Sequence, residues 1–290
     1  MATDPYAFAT LAAEKLVRSI TSATLPVDPI AIARGKGIEV VAKPAQDAGV
    51  SGMLIRVGQE YAIAYATHID NEAFQRFSVG HELGHYCLPG HPEAVIGPTG
   101  VHQSRADFRS TDRYEIEADR FSAGLLMPRH LFAPAIARVG QGFAAVESLA
   151  KLCKTSLHAT AIRYAQCSPD PTAIIVSMGD RIAHCFMSDE LKTLDGIDWL
   201  RKHEAVPRGT ATYAFNQDAS NVGKGKRTDG TSNLQNWFGG NYDIEVTEDV
   251  IGLGSYGRTL TVLYDIELPD EEEREQESSM RDSWTPRFRR

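Results

Sequence analysis

Cysteine is scarce in this sequence: Cys87, Cys153, Cys167 and Cys185 are the only four among 290 residues, widely spaced and without a CxxC pair. That pattern argues against a cysteine zinc cluster or a disulfide scaffold and leaves buried, reduced thiols as the expectation. No apolar run approaches the roughly 18 residues that a membrane-spanning helix needs, so no membrane association is expected. The stretch from Met1 to Glu14 lacks the basic start and small-residue cleavage site of a secretory signal, which reads as a cytoplasmic protein. Positive charge is not in excess either. The net charge is −8, of which the tail from Glu267 to Arg290 carries −3, arguing against general attraction to nucleic acid or anionic lipid. What is present, 42% hydrophobic and 23% charged residues, is ordinary for a globular chain long enough for two domains or one domain with appendages.

Along the chain, Phe8, Leu11, Ala12, Leu16 and Ile20 recur at helical spacing, predicting an opening amphipathic helix. Asp28 followed by Pro29 predicts the start of a second helix: the Asp side chain can accept an unsatisfied N–H, and Pro has no N–H to leave orphaned. Three β-rich runs follow at Ile38–Ala42, Ser51–Val57 and Tyr61–Tyr65. Helices are predicted from Glu72 to Leu88 and from Tyr114 to Leu126, with the polar stretch Gly97–Asp112 between them read as a loop. A helix, a break and a second helix fill Phe143–Ala165. Beyond Pro169, strand-like runs at Ala173–Met178, Arg181–Met187, Thr210–Phe215 and Thr259–Ile266 predict a mostly β module.

The chemistry concentrates at Gly80-His81-Glu82-Leu83-Gly84-His85, an HExxH pattern. Residues at i and i+4 share one helical face, so His81 and His85 can direct ring nitrogens at one metal ion with Glu82 beside the open coordination position, as in zinc metallopeptidases. Phe77, Val79 and Leu83 make the helix otherwise apolar, which places the histidines in or near the interior, where unpaired imidazoles need partners. A third ligand is available thirty residues on, in Glu115-Ile116-Glu117-Ala118-Asp119. Glu115 can complete a two-His, one-Glu site, and Asp119, one turn later, can hydrogen-bond a ligand histidine from behind. Glu117 points away from Glu115 and is read as solvent-facing; the alternative for the whole segment is a solvated acidic first turn.

These segments resemble the ImmA/IrrE metallopeptidases: Arg76–His85 is similar to the active-site helix of that family, and Glu115–Phe121 with Leu125-Leu126-Met127-Pro128 to its second signature. Leu25–Asp28 and Val50–Gly52 are similar too, so the resemblance covers roughly Tyr6 to Pro128. Asp119 stands where family members often carry Asn, a mild departure. The resemblance implies a zincin-like α+β metallopeptidase domain over residues 1–135, a helix-turn-helix-like segment over 136–168 and a sensor-like role for the β-rich module over 169–268; the tail over 269–290, charged and poor in aliphatic residues, is expected to be disordered or loosely attached. It implies Zn²⁺ as cofactor, manganese or iron being alternatives for the same donors. It implies Glu82 as general base, and as substrate a specific protein such as a DNA-binding transcriptional repressor of stress-response or mobile-element genes. His91, His102 and Tyr114 lie within sequence reach of an oxyanion, but ordinary surface roles compete and none joins the site set.

Weaker signals lie outside this set. Leu149–Tyr164 resembles the helix-turn-helix segment of the same family, with Ser156, His158, Thr160 and Arg163 on a would-be recognition helix. Its local charge of +3 is small for phosphate binding, so a helical hairpin packed on the peptidase domain is favoured over direct DNA contact. Gly252–Gly257 spells GxGxxG but runs into a β pattern rather than a helix, which makes it a turn and not a dinucleotide site. Gly223–Arg227 is read as a surface loop. The readings competing with a peptidase are a DNA- or partner-binding regulator with a structural or vestigial metal site, and a toxin–antitoxin partner.

Overall fold

The computed structural model describes residues 6–43, 49–105 and 112–270, and the chain divides into two compact units, Met1–Gly140 with Ala145–Arg163, and Gln141–Ala144 with Tyr164–Arg290. Of the charged tail, residues 271–290 lie outside the described ones. Among the described residues the architecture is mixed α+β, with two sheets. No described helix is long and apolar enough to cross a membrane.

The first unit opens with α1 (Ala7–Arg18) and α2 (Pro29–Gly35); Asp28 caps α2 by accepting from the Ile30 and Ala31 amides. Strands β1 (Glu39–Lys43), β2 (Val50–Val57) and β3 (Glu60–Ala66) lie where the β-rich runs are. A fourth strand, β4 (Val101–Arg105), falls inside the stretch expected to be a loop. It forms because the edge of β2 offers unpaired backbone groups, and pairing with that edge outweighs the weak β propensity of Val-His-Gln-Ser-Arg. The sheet order is β1-β3-β2-β4, parallel between β1 and β3 and antiparallel elsewhere.

Helix α3 (Glu72–Cys87), capped by Asn71, packs on β2 and β3 with one side and on α5 (Arg113–Leu126) with the other. A helix covered on both sides has no solvent face, and Ser78 to His85 are buried without interruption. Close approach of α3 and α5 depends on two glycines one turn apart. A Cβ on Gly84 would lie 3.2 Å from the Ala118 backbone and from Phe121, and one on Gly80 would lie 2.5 Å from the Ser122 hydroxyl. The core around this sandwich holds Ala9, Ala13, Leu54, Ile63, Val79, Leu83, Phe121 and Leu125. Short helix α4 (His91–Val95) follows α3 after Gly90, whose φ of +79° suits glycine, and α6 (Arg129–Ile136) follows α5.

Helices α7 (Gly142–Cys153) and α8 (Leu157–Cys167) form the expected helical pair. Of the four would-be DNA-reading residues, Thr160 and Arg163 are buried. Thr160 hydrogen-bonds Thr155 at 2.7 Å, and Arg163 pairs with Glu14 of α1 and donates to the Met127 carbonyl at 2.9 Å. Half of that face is thus spent on packing α8 within the first unit.

The second unit is built on an antiparallel sheet of order β6-β5-β9-β8-β7. Its strands are β5 (Ala173–Met178), β6 (Arg181–Met187), β7 (Arg227–Asn233), β8 (Glu245–Gly252) and β9 (Thr259–Tyr264). Gly252–Gly257 closes the β8–β9 hairpin through a 3-10 turn, as a turn rather than a nucleotide loop. The run Thr210–Phe215, expected as a strand, is instead α9 (Ala211–Asn216): its alternation mimics a strand, but Thr210 caps a helix by accepting from the Tyr213 amide. Helices α10 (Ala219–Gly223) and α11 (Leu234–Phe238) complete the unit, whose core gathers Ile175, Leu191, Trp237, Phe238, Val246 and Leu263.

Candidate metal centre

The buried middle of α3 and the first turns of α5 face each other, so His81, His85 and Glu115 meet although thirty residues separate the two segments. His81 Nε2 lies 3.3 Å from Glu115 Oε2, His85 Nε2 lies 3.5 Å from Glu115 Oε1, and the two imidazole Nε2 atoms are 3.0 Å apart. Asp119, one turn beyond Glu115, sits behind His81, its Oδ1 2.8 Å from Nδ1.

A fourth side chain joins them. His102 Nε2 is 3.2 Å from Glu115 Oε1, and one donor atom from each of His81, His85, His102 and Glu115 fits within a 4.8 Å sphere of mutual separation. His102 was legible only as a loop histidine, because its strand was not; the alternation that puts His102 and Ser104 on one face of β4 is the signal that would have found it.

Glu82 has a different environment. It is fully buried, and neither carboxylate oxygen has a hydrogen-bond partner among the described residues. Gly52 of β2 lies against it so closely that a Cβ there would come within 2.6 Å of Oε1, so the strand needs glycine to leave room for the carboxylate. Burial pushes the Glu82 carboxyl above its ordinary range, and the charges of His81 and His102 and the nearby Ser104 hydroxyl offset only part of that.

The cluster is polarised toward holding a cation. Burial opposes ionisation of Glu115, but hydrogen bonds from His102, His81 and His85 outweigh it and hold the carboxyl well below the usual range. Burial also disfavours a charged His81, yet hydrogen bonds to Asp119 and Glu115 bring its pKa up to about 10, whereas burial takes His85 down to about 3. Positive charge is thus favoured on His81 and disfavoured on His85, while Glu115 is held ionised, so the cluster offers a carboxylate and a neutral imidazole as donors. Donors bound tetrahedrally at the length of a zinc–nitrogen or zinc–oxygen bond sit about 3.3 Å from one another; the four contacts given above, which use both Glu115 oxygens, run from 3.0 to 3.5 Å, and the whole donor set lies within 4.8 Å.

The profile of the peptidase M78 family, described as an IrrE N-terminal-like domain, matches residues 33–164. This segment belongs to that family. The M78 domain thus contains both α3 and α5, with every residue of the cluster. No curated protein sequence matches the chain. Among solved structures, a Mycobacterium tuberculosis transcriptional regulator is similar with a TM-score of 0.55 at 12% identity, the match covering 89% of this chain and 76% of the other, a likeness of fold.

Glu117 departs from expectation. It turns away from Glu115 as its position predicts, but that direction leads to α4 and not to solvent: Glu117 is 2% exposed, accepting from Arg113 Nε at 2.7 Å and lying 2.8 Å from His91 Nε2. His91, weighed only as a loop histidine, is buried with it. Tyr114 stacks edge-on against the His91 ring at 4.9 Å.

Proposed function

We propose that this chain is a cytoplasmic zinc metalloendopeptidase that hydrolyses a peptide bond in a specific intracellular protein. His81, His85 and Glu115 would hold the metal, with Asp119 orienting His81 and Glu82 as general base. The observation that carries this reading is the buried, unpartnered Glu82 carboxylate beside a set of zinc-type donors. A purely structural site has no use for it, since such a carboxylate costs stability. When bound, zinc supplies Lewis acidity, polarising a scissile carbonyl and drawing the pKa of a water towards about 7.

Glu82 then performs the proton traffic. Burial raises its pKa, which makes it a stronger base than an exposed carboxylate; it would accept a proton from the attacking water, and the same carboxylic acid would return that proton to the leaving amine. His102, on the edge strand β4 and partly accessible beside Glu115, would donate to the oxyanion of the tetrahedral intermediate. By resemblance to the ImmA/IrrE proteins, the substrate we assign is a DNA-binding transcriptional repressor, cleaved to release its genes.

A second reading draws on His102. As a fourth protein ligand it would close the coordination shell, and closed four-ligand sites are structural. The chain would then act as a regulator through partner or DNA binding. Replacing Glu82 by Gln separates the two. In cells producing either version, N-terminal proteomics should find new protein N-termini with wild type that are lost, at a cleavage rate lower by about 10²–10⁴-fold, with Glu82→Gln. Identical N-terminal profiles, with metal retained in both, would favour the regulator.

A further inference from the structure

The function proposed above leaves His91 and Glu117 without a role, although both are buried and ionisable. They form a line with a metal-ligand candidate. His85 Nδ1 is 3.2 Å from His91 Nδ1, His91 Nε2 is 2.8 Å from Glu117 Oε2, and Glu117 Oε1 accepts from Arg113 Nε at 2.7 Å. The line leads from the fully buried His85 ring to Arg113, whose side chain is 68% exposed.

Donor and acceptor arithmetic fixes its direction. A carboxylate can only accept, so His91 must carry its hydrogen on Nε2 to meet Glu117. Burial lowers the His91 pKa and keeps the ring neutral, which leaves its Nδ1 bare and able only to accept. The facing Nδ1 of His85 must therefore be the donor, and the lone pair of His85 is left on Nε2, the atom that points at Glu115 and His81. In free imidazole side chains hydrogen favours Nε2, so this arrangement reverses the usual preference where a ligand needs a bare Nε2.

We propose that His91 is a positioning residue: it holds His85 in the Nδ1–H tautomer that presents Nε2 to a metal ion, and is itself oriented by Glu117 and Arg113. The inference rests on the metal-site reading above. The two histidines of the HExxH segment are then supported alike, His81 by Asp119 directly and His85 by Glu117 through one intervening imidazole. Carboxylate support of this kind raises ligand basicity and fixes ring orientation.

The test pairs two substitutions. His91→Phe keeps a ring against Tyr114 but removes both hydrogen bonds; His91→Gln restores them, since its amide oxygen can accept from His85 while its NH₂ donates to Glu117. Zn²⁺ affinity is measured by competition with a chromophoric chelator, and the His85 tautomer by long-range ¹H–¹⁵N NMR on the metal-free full-length chain. The expected result is the Nδ1–H tautomer of His85 in wild type and His91→Gln, its loss in His91→Phe, and a zinc affinity weakened about 10–100-fold in His91→Phe alone. A wild type with the Nε2–H tautomer, or a His91→Phe variant that binds zinc as tightly as wild type, overturns the relay while leaving the metal site standing. A wild type that binds no zinc removes the metal-site reading and this inference with it.

Discussion

Each unit of this protein holds a glutamate with no exposed surface, Glu82 in the first and Glu248 in the second, and the two are treated in opposite ways. In the second unit, Glu248 of β8 is fully buried, but its oxygens are engaged: Oε2 accepts from the Thr212 amide at 3.1 Å and hydroxyl at 3.0 Å, and Oε1 accepts from the Trp237 indole at 3.4 Å. Thr261 closes that network against Thr212 at 2.7 Å. In the first unit Glu82 is buried as deeply, and neither oxygen makes a hydrogen bond of good geometry among the described residues, the Ser104 hydroxyl being the one neutral donor near it. A satisfied network gives rigidity and asks for nothing further, whereas an unsatisfied one is retained only where something outside the fold completes it. The first is a device for holding α9 on its sheet; the second is the group to which the proposed peptidase function gives the chemistry.

One substitution breaks this comparison most sharply, because it should act with opposite sign at the two places. Glu248→Gln sets an NH₂ group against a donor whichever way the amide is turned, since both oxygens now accept. Stability should fall by about 1–3 kcal/mol in urea denaturation, while the zinc content stays that of wild type. An unchanged midpoint would mean that the network around Glu248 is not structural.

The smaller effect is the reverse. In chelator-treated protein, Glu82→Gln should raise stability by on the order of 1 kcal/mol, because it removes a buried carboxylate that has no partner. Its pH dependence identifies the cause. Burial raises the Glu82 pKa above its ordinary 4.5, so between that value and the folded one the native state binds more protons than the unfolded, and stability falls as pH rises. The advantage of Glu82→Gln over wild type should therefore be absent below about pH 4.5, grow as pH increases, and level off above the folded pKa. A difference independent of pH would assign the effect to packing instead of charge.

The two sites were not equally legible in the sequence. His81, Glu82, His85, Glu115 and Asp119 could be read because each pair lies within one helix, where spacing fixes which side chains share a face. What escaped depends on tertiary pairing. His102 comes from an edge strand made by β2 and not by local propensity, and the pairing of His91 with Glu117 follows from the turn at Gly90 that lays α4 beside α5. The role of Gly80 and Gly84 was hidden for the same reason: two glycines inside a helix look unfavourable until a second helix is set against them. In the second unit, the polar Thr, Asp and Ser that fill β7 give no strand signal, and Thr210–Phe215 reads as a strand because its threonines and aromatics are spaced two apart, while the Thr210 cap decides for helix. The network around Glu248 could not be anticipated without those elements.

The central claim is that the His81–His85–Glu115 cluster is a metal centre completed by an ion the fold is built to receive. The direct test is metal content by elemental mass spectrometry on protein purified without added metal, comparing wild type, His81→Ala, Glu115→Ala and Glu82→Gln. The account predicts about one zinc per chain in wild type and Glu82→Gln and essentially none in the two ligand variants. A wild type that carries no metal, and retains none after zinc is supplied, would contradict it.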